Sequence, residues 1–365
     1  MAERVEFTDV YVDDAIVDHA VEVLRSTRYV KGPVVEQFEE EFADLCGTDH
    51  AVGVSNGTAA LLLAMKALDL GQGDEVFVPA HTYFATVSPV LEVGAEPVFV
   101  DIDPERYTMA PNDLVNAVEA ADAPAAIAVT HMHGQPAAMD PILDIAEEYD
   151  LAVIEDAAQA HGAEYQNDRV GTFGDVACFS FYPSKNMTVG GDGGMIVTDN
   201  DAIDSYVRQL RNHGRDEDGI HQTLGLNYRL NEVNAAVGRE QLTHLMDWNQ
   251  ARNDIGQKYT SRLNDIEEVV TSMVADDAFH VYHHYPIQVP DRESFRLALD
   301  EQGIDTAVHY ENAVHEQPAV ESRVKSANNP RAEHLCDRIV SLPMHPRLAD
   351  EKVDRVCKTI REYYR

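Results

Sequence analysis

From residue 50 onward, short runs rich in β-branched residues alternate with segments of helical periodicity. Most of the short runs are apolar at successive positions, which is typical of strands that helices cover on both faces. We predict strands over residues 51–55, 75–80, 96–102, 125–132, 151–157, 175–181 and 193–199. Helices are predicted between them over residues 57–70, 82–93, 111–120 and 140–149. The alternation favours an α/β domain with a mainly parallel seven-stranded sheet flanked by helices.

The pattern changes after Asn231. A long amphipathic segment, residues 231–263, predicts either one bent helix or two consecutive helices. It is followed by a predicted strand over 283–289, a helix over 291–302 and a last helix that begins at Asp350. We therefore expect a large domain over residues 1–245 and a smaller C-terminal α+β domain over residues 246–365.

The chain is strongly acidic, with a formal net charge of −36, yet 44% of its residues are hydrophobic. The acids are interleaved with periodic apolar segments, so we expect a folded protein with an acidic surface and not a disordered one. Such a surface repels nucleic acid and anionic membranes. Only seven of the 28 basic residues are lysines. Scarce lysine beside abundant carboxylates indicates a halophilic protein, because concentrated salt screens the self-repulsion.

Several classes of protein are disfavoured by what the sequence lacks. Its four cysteines are far apart and form no C-x-x-C pair, so neither a zinc site nor a disulfide framework is indicated. The pairs His131/His133 and His283/His284 are poor matches to metal-ligand spacing, and no metal is predicted. There is no signal-like apolar region at the N-terminus and no run of 18 apolar residues. We expect a soluble, cytoplasmic protein.

One lysine stands apart from the others. Lys185 lies in the stretch FSFYPSKN, which the glycine cluster GGDGG follows closely, and no other lysine occurs between Lys66 and Lys258. In open α/β sheets, ligands bind at the carboxyl ends of the strands. Asp156 ends an apolar predicted strand, and an acid there is costly unless it has a cationic partner.

Two other strand ends carry unusual residues. Asn56-Gly57-Thr58 opens a predicted helix, whose first N–H groups suit a phosphate, although the same residues also form an ordinary N-cap. His81-Thr82-Tyr83 offers an aromatic ring that either stacks on a ligand or packs in the core. An amine, an acid, a phosphate cradle and an aromatic at one sheet edge are the groups that pyridoxal 5′-phosphate requires.

The sequence resembles the DegT-type nucleotide-sugar aminotransferases, a branch of the fold type I enzymes that depend on pyridoxal phosphate. The similarity covers nearly the whole chain in order. Its most specific blocks are the D-x-x-Q of IEDAAQAHGA, the S-x-K of FSFYPSKN and the N-Y-R of GLNYRLNE; VKGPVVEQFEEEFA, VSNGTAAL, RNHGR and LPMHP also match. The resemblance implies the fold type I architecture with a smaller C-terminal domain.

The resemblance also implies roles for individual residues. Lys185 forms the Schiff base with the cofactor and moves protons, Asp156 holds the protonated pyridine nitrogen, and Gln159 lies beside the 3-oxygen. The implied ring-stacking residue is Tyr83, and the implied phosphate ligands are Gly57, Thr58, Ser180 and, from a second subunit of a homodimer, Asn227. Three residues are implied near the substrate: Arg229, Tyr310 and His315.

We therefore expect an aminotransferase that moves an amino group, with L-glutamate as the expected donor, to a keto-sugar of a nucleotide diphosphate sugar, as in polysaccharide biosynthesis. The block HMHGQ has His133 where the family usually has Tyr, and GGDGG replaces the common GGEGG. Alternatives are a regulatory or non-transaminating protein that binds the cofactor, and a dehydratase-type relative, which has His in place of the lysine. A nicotinamide dehydrogenase is disfavoured because no G-x-G-x-x-G follows the first strand.

Overall fold

The computed structural model describes residues 3–321, 323–324 and 328–365. Within these residues the helices are α1 (Asp14–Ser26), α2 (Pro33–Cys46), α3 (Gly57–Ala67), α4 (Phe84–Val93), α5 (Pro111–Ala120), α6 (Met139–Tyr149), α7 (Asp201–Leu210), α8 (Glu232–Leu263), α9 (Arg292–Glu301), α10 (Pro318–Glu321), α11 (Pro330–Arg338) and α12 (Asp350–Tyr363). The strands are β1 (His50–Val54), β2 (Glu75–Pro79), β3 (Glu96–Val100), β4 (Pro124–Thr130), β5 (Ala152–Asp156), β6 (Glu164–Tyr165), β7 (Asp168–Arg169), β8 (Val176–Ser180), β9 (Gly194–Thr198), β10 (Val270–Thr271), β11 (Ala278–Phe279), β12 (Tyr285–Gln288) and β13 (Ile339–Leu342).

A seven-stranded sheet forms the centre of the molecule, with the order β1-β9-β8-β5-β4-β2-β3. Neighbours from β8 to β3 run parallel, and only β9 is antiparallel to the strands on either side of it. The seven predicted strands correspond to these seven, each within about two residues. Six strands therefore point the same way, and their carboxyl ends meet at one edge.

Helices cover both faces of this sheet. On one face, α3, α4 and α7 pack on side chains such as Val54, Val78 and Ile154. On the other face, α2 and α8 pack on β8 and β9, while α5 and α6 pack on the strands at the β3 side. Burial on both faces explains why these strands are continuous apolar runs.

A second apolar core involves the C-terminal part of the chain. The antiparallel sheet β10-β12-β13 packs with the last turns of α8 and with α9 and α12. Val5 also belongs to this core and pairs with Ile304 in an isolated bridge. The segment predicted as one bent helix or two is a single helix, α8, which passes through residue 245 without a break. The domain boundary at residue 245 stays a prediction.

The two N-terminal helices were not predicted. The start of α2 depends on a distant residue: Glu232, the first residue of α8, accepts hydrogen bonds from the backbone N–H groups of Gly32 (2.8 Å) and Val34 (2.9 Å). A carboxylate at a helix N-terminus is stabilising because it satisfies free N–H groups and faces the positive end of the dipole.

In the described residues, no helix has both the length and the apolar character that a membrane span requires.

Glu155 connects the sheet to a loop. This fully buried carboxylate accepts hydrogen bonds from the backbone N–H groups of Gly171 (3.0 Å), Phe173 (2.9 Å) and Gly174 (2.9 Å). Its fourth partner is Nε2 of His131, at 2.9 Å. The Nδ1 atom of His131 accepts a hydrogen bond from a backbone N–H, so Nε2 carries the proton and donates to Glu155. The carboxylate thus fixes the loop that leads into β8.

We expect Glu155→Gln to lower the free energy of unfolding by about 3 kcal/mol, since an amide replaces two of the acceptor positions with donors and leaves buried N–H groups unpaired. Chemical denaturation at a fixed salt concentration measures the change. Glu147→Gln, on an exposed helical position, is the matched control and should leave the unfolding midpoint unchanged. Equal midpoints for the two variants would show that the Glu155 network contributes little.

Candidate active site

A cavity of about 720 Å³ opens at the edge where the parallel strands end. Its wall is formed by residues that end or follow β1, β2, β4, β5 and β8, together with residues from the C-terminal part of the chain. Eight of the eleven predicted site residues line it: Gly57, Thr58, Tyr83, Asp156, Gln159, Ser180, Lys185 and Tyr310.

Lys185 lies in a turn just after β8, where its backbone N–H donates to the carbonyl of Tyr182 at 2.8 Å. The side chain is half-buried and borders the cavity. Desolvation lowers the pKa of Lys185 to about 8, and attraction to Asp156 opposes that shift. Roughly a tenth of the Lys185 amines are therefore neutral at pH 7, and the neutral form is the one that acts as a nucleophile or a base.

Asp156 ends β5 and points into the cavity. One of its oxygens accepts a hydrogen bond from the hydroxyl of Thr86 at 2.6 Å, and the other from the backbone N–H of Ala158 at 3.2 Å. The Thr86 hydroxyl also bonds Thr82, which in turn bonds Thr130. Burial raises the pKa of Asp156, while the Thr86 hydrogen bond lowers it. A bound cation would favour the ionised carboxylate.

Gln159 is held from two sides. Its carbonyl oxygen accepts a hydrogen bond from the backbone N–H of His133 at 2.7 Å, and its amide nitrogen donates to the Tyr310 hydroxyl at 3.2 Å. The Tyr310 ring lies 5.5 Å from the Tyr83 ring, with the planes tilted by 37°. The side chain of Tyr83 is 57% exposed, so one face of this ring is open to a ligand.

The N-terminus of α3 forms a tight cradle with the end of β8. A Cβ atom added to Gly57 would lie 2.7 Å from the Cβ of Ser180, closer than side chains approach one another. Asn56 caps α3 by accepting from the backbone N–H of Ala59 at 2.8 Å. Thr58 and Ser180 bring hydroxyl groups to the same part of the wall. Free N–H groups, hydroxyls and a glycine that permits close approach suit a phosphate.

These residues fit the predicted cofactor. The cradle suits its phosphate, Asp156 suits its ring nitrogen, and Lys185 suits its aldehyde, all within one cavity. The fit depends on the parallel sheet, because that topology brings the ends of distant strands together.

Three predicted residues lie outside this cavity wall. Asn227 is exposed and forms an isolated bridge with Asn212. Arg229 donates to the side chain of Asn212 at 2.8 Å. His315 is buried, with its Nε2 atom 3.1 Å from a carboxylate oxygen of Glu333. The roles of these three residues stay predictions.

Sequence reasoning missed several residues of the site. Thr86 is the one that the sequence could have indicated, since it lies one helical turn after Thr82 at the start of a predicted helix. The cavity wall also includes Tyr228 and three histidines, His283, His284 and His309. Their proximity could not be inferred, because it depends on how the C-terminal segments pack against the sheet.

The cavity histidines are neutral near pH 7. Burial lowers the pKa of His283 and His284 well below the ordinary value, and that of His309 to about 4. The rings of His284 and His309 are stacked, with centroids 3.7 Å apart. Among the residues described, no group of three His, Cys, Asp or Glu side chains is arranged to hold a metal ion.

Comparison with known proteins places the chain among enzymes. The model of the DegT/DnrJ/EryC1/StrS aminotransferase family matches residues 11–361. The chain is 41% identical to dTDP-3-amino-3,4,6-trideoxy-alpha-D-glucose transaminase of Streptomyces venezuelae, covering 93% of this chain and 90% of the relative. It is 39% identical to UDP-N-acetyl-3-dehydro-alpha-D-glucosamine 3-aminotransferase of Acidithiobacillus ferrooxidans, covering 95% and 93%.

Solved structures agree with these matches. The crystal structure of DesV from S. venezuelae, in complex with a ketimine intermediate, has a TM-score of 0.96 at 39% identity and covers 100% of this chain and 99% of its own. A DegT/DnrJ/EryC1/StrS aminotransferase from Brucella abortus has a TM-score of 0.93 at 34% identity, covering 96% and 95%. The predicted fold type I architecture is confirmed. The chain belongs to the DegT/DnrJ/EryC1/StrS aminotransferase family and is a pyridoxal phosphate-dependent aminotransferase.

Proposed function

We propose that the protein transfers an amino group from L-glutamate to the keto group of a sugar that is linked to a nucleoside diphosphate. The observation that carries this proposal is the pairing, in one cavity, of a lysine whose pKa is lowered to about 8 with a buried carboxylate. Relatives at about 40% identity, named as aminotransferases of dTDP- and UDP-linked sugars, support the substrate class.

Lys185 is the group that moves the proton. When bound, pyridoxal phosphate accepts the electron pair left on the substrate carbon as its proton departs. The neutral Nζ of Lys185 would take this proton from the carbon that bears the amino group and, as an ammonium, would deliver it to the cofactor within the same half-reaction. With the keto-sugar the two transfers would run in reverse, so Lys185 is neutral again at the end of each half. Its lowered pKa makes both transfers feasible near neutral pH.

Asp156 keeps the cofactor ring nitrogen protonated through a charge-assisted hydrogen bond. Thr86 positions the carboxylate by donating to one of its oxygens at 2.6 Å, and Ala158 does so at the other oxygen. Gln159 is oriented by His133 and Tyr310, which fixes its amide at the side of the ring that we assign to the 3-oxygen.

We further propose that the working unit is a homodimer in which Asn227 of the partner subunit completes the phosphate cradle. This proposal is supported by the exposure of Asn227 and by apolar side chains on the same segment: Leu224 is 94% exposed and Leu226 is 58% exposed. Two chains of net charge −36 repel one another, so concentrated salt should favour this dimer.

A regulatory protein that binds the cofactor without turnover is the second candidate. It is raised by a relative from Geobacillus stearothermophilus, 40% identical and named a pleiotropic regulatory protein. The presence of Lys185, Asp156 and Gln159 in one cavity favours turnover. A screen of keto-sugar nucleotides with glutamate, read by mass spectrometry, tests the proposal. A protein that binds the cofactor but aminates no sugar with any common amino donor would contradict it.

The first prediction concerns covalent uptake of pyridoxal phosphate by the apoenzyme. Only neutral Lys185 attacks an aldehyde, so the uptake rate should fall about tenfold per pH unit below pH 8. Asp156→Asn removes an attraction that raises the lysine pKa, so the midpoint of this profile should move to lower pH. Stopped-flow absorbance measures the rate.

Borohydride reduction and peptide mapping provide the control. The label should appear on Lys185 and not on the exposed Lys66 or the partly exposed Lys258. A label on another lysine, or a midpoint that moves to higher pH in Asp156→Asn, would refute the assignment.

The second prediction separates charge from position at Asp156. Asp156→Asn should reduce kcat by about a hundredfold or more, because a charged hydrogen bond in a closed site is lost. Thr86→Val keeps the shape but removes the positioning hydroxyl, so we expect about a tenfold loss. Thr86→Ser retains the hydroxyl and should remain near the wild-type rate. Near-native turnover of Asp156→Asn would show that the acid is only structural.

The third prediction tests the homodimer. Lys185→Ala and Asn227→Asp should each inactivate the enzyme. In a mixed dimer, one site carries both defects and the other carries neither, so up to half of the wild-type activity should return. The measurement is turnover after subunit exchange in concentrated salt, with exchange verified by differently tagged chains. No recovery in exchanged dimers would mean that each site is built from one chain.

A further inference from the structure

Arg252, on α8, is a buried cation without a carboxylate partner. Among the described residues it is the only lysine or arginine that the fold buries, with 4% of its surface exposed. None of the ion pairs that the described residues form includes it. The chain has 64 acidic residues and 28 basic ones, so a carboxylate is easily supplied at most positions. A charge taken out of water without a counter-charge is costly, and its presence here needs a physical reason.

The protein satisfies only one edge of this guanidinium. The Nη1 atom donates to the carbonyl oxygens of Tyr282 at 3.0 Å and Met344 at 3.2 Å, and it lies 3.5 Å from the carbonyl oxygen of His283. The Nε atom is buried and has no hydrogen-bond partner among the described residues. Burial lowers the pKa of Arg252 to about 10, and no neighbouring acid opposes that shift. The group therefore stays charged at pH 7, and carbonyl dipoles leave its formal charge uncompensated.

A small cavity of about 20 Å³ lies against Arg252. Its wall is formed mainly by α8, by the turn of residues 183–186 and by the N-terminal segment of residues 8–11. Ser184 and Lys185 line this cavity and also the active-site cavity. The small cavity therefore lies directly behind the turn that carries the active-site lysine.

The volume of this cavity limits what it can hold. A single water molecule needs a cavity of roughly 10–15 Å³, and the space beside Arg252 is only slightly larger. An anion of several heavy atoms, such as sulfate, phosphate or an organic acid, does not fit. Among charged occupants, the volume therefore selects a monatomic ion.

The wall suits an anion better than a cation. Besides Arg252, it includes the hydroxyl-bearing Ser184 and the indole of Trp248, whose N–H group can only donate. The one carboxylate among its described residues belongs to Asp9, which is paired with Arg347 at 2.6 Å. The surroundings of the unpartnered Nε atom thus carry a net positive charge.

A water molecule is the alternative occupant of the cavity. It would accept a hydrogen bond from Nε of Arg252 and donate one to Oδ1 of Asn186, which is also buried without a partner among the described residues. Water would leave the positive charge uncompensated, whereas an anion would leave only the neutral amide oxygen without a donor. A buried charge without a counter-charge costs more than a neutral acceptor without a donor, so the anion is favoured.

We infer that a chloride ion binds in this cavity against the Nε–H group of Arg252 and stabilises the turn that carries Lys185. The ion supplies the counter-charge that the described residues do not provide, and it lies between α8, that turn and the N-terminal segment. The inference goes beyond the proposed transamination and does not depend on the identity of the sugar. Its consequence is a dependence on the kind of anion, in addition to ionic strength, which screens all surface charges alike.

Crystallography with bromide locates the ion directly, because bromide has the charge of chloride, is only slightly larger and scatters anomalously. Crystals of the wild-type holoenzyme in potassium bromide should show an anomalous peak in contact with Nε of Arg252. Bromide peaks confined to the protein surface, with density beside Arg252 that lacks an anomalous signal, would identify water as the occupant and overturn the inference. This measurement needs no variant, so it decides the question even if substitution of Arg252 prevents folding.

Thermal unfolding of the holoenzyme in two salts tests the same site in solution. Potassium chloride and potassium gluconate, each at about 1 M, screen charges equally, but gluconate is too large for the cavity. The emission of Trp248, the only tryptophan of the chain, follows the transition. We compare the midpoint in chloride minus the midpoint in gluconate between proteins, which removes general effects of the salts. This difference should be about 2 °C larger for wild type than for Arg252→Met, because the ion binds only the folded wild type.

Arg239→Met is the matched control. Arg239 lies on the same helix, but it is partly exposed and paired with Glu41 at 2.6 Å, so this variant should keep the wild-type difference between the two salts. Equal differences in wild type and Arg252→Met would overturn the inference. A difference lost to the same extent in Arg239→Met would also overturn it, because chloride would then act on surface charges in general.

Discussion

The unequal hydrogen bonding of two neighbouring acids at the end of β5 organises the structure around them. Glu155 and Asp156 are both buried, but they point to opposite faces of the strand. The Glu155 carboxylate accepts hydrogen bonds from three backbone N–H groups and from His131, so its oxygens have partners within the protein. Asp156 receives only a hydroxyl and one N–H, and burial raises its pKa. Because this carboxylate has few hydrogen-bond donors, a cationic cofactor ring would be stabilised more beside Asp156 than beside Glu155.

The loop geometry follows from the same pair of acids. Glu155 anchors residues 171–174, which lead into β8, and β8 ends at Ser180 beside the start of α3. Lys185 follows five residues later, in a turn that faces Asp156 across the cavity. A structural carboxylate on one face of β5 therefore helps to position the lysine that works with the carboxylate on its other face.

Charge is distributed unevenly over this acidic chain. Most of the surface repels anions, whereas the cofactor and the proposed substrate are both phosphorylated. The cavity compensates locally for this repulsion, because the N-terminus of α3 and the hydroxyl groups of Thr58 and Ser180 suit a phosphate. In the homodimer that we propose, each cofactor site is completed by the partner subunit, so activity should depend on any condition that stabilises the dimer.

The sequence by itself determined the alternating strands and helices, the lone Lys185, the acid at the end of a strand and the family to which the chain belongs. These features are local, since periodicity and residue type report them within a few positions. Tertiary structure alone decided that Asp156, and not the adjacent Glu155, is free to bind a ligand, and that Thr86 positions the Asp156 carboxylate. It also decided that the N-terminus of α2 is capped by the distant Glu232. It also placed Asn227 and Arg229 outside their own cavity while Tyr228 lines it. Such facts depend on strand order, on burial and on contacts between residues far apart in the chain, and none of these is encoded in a local pattern.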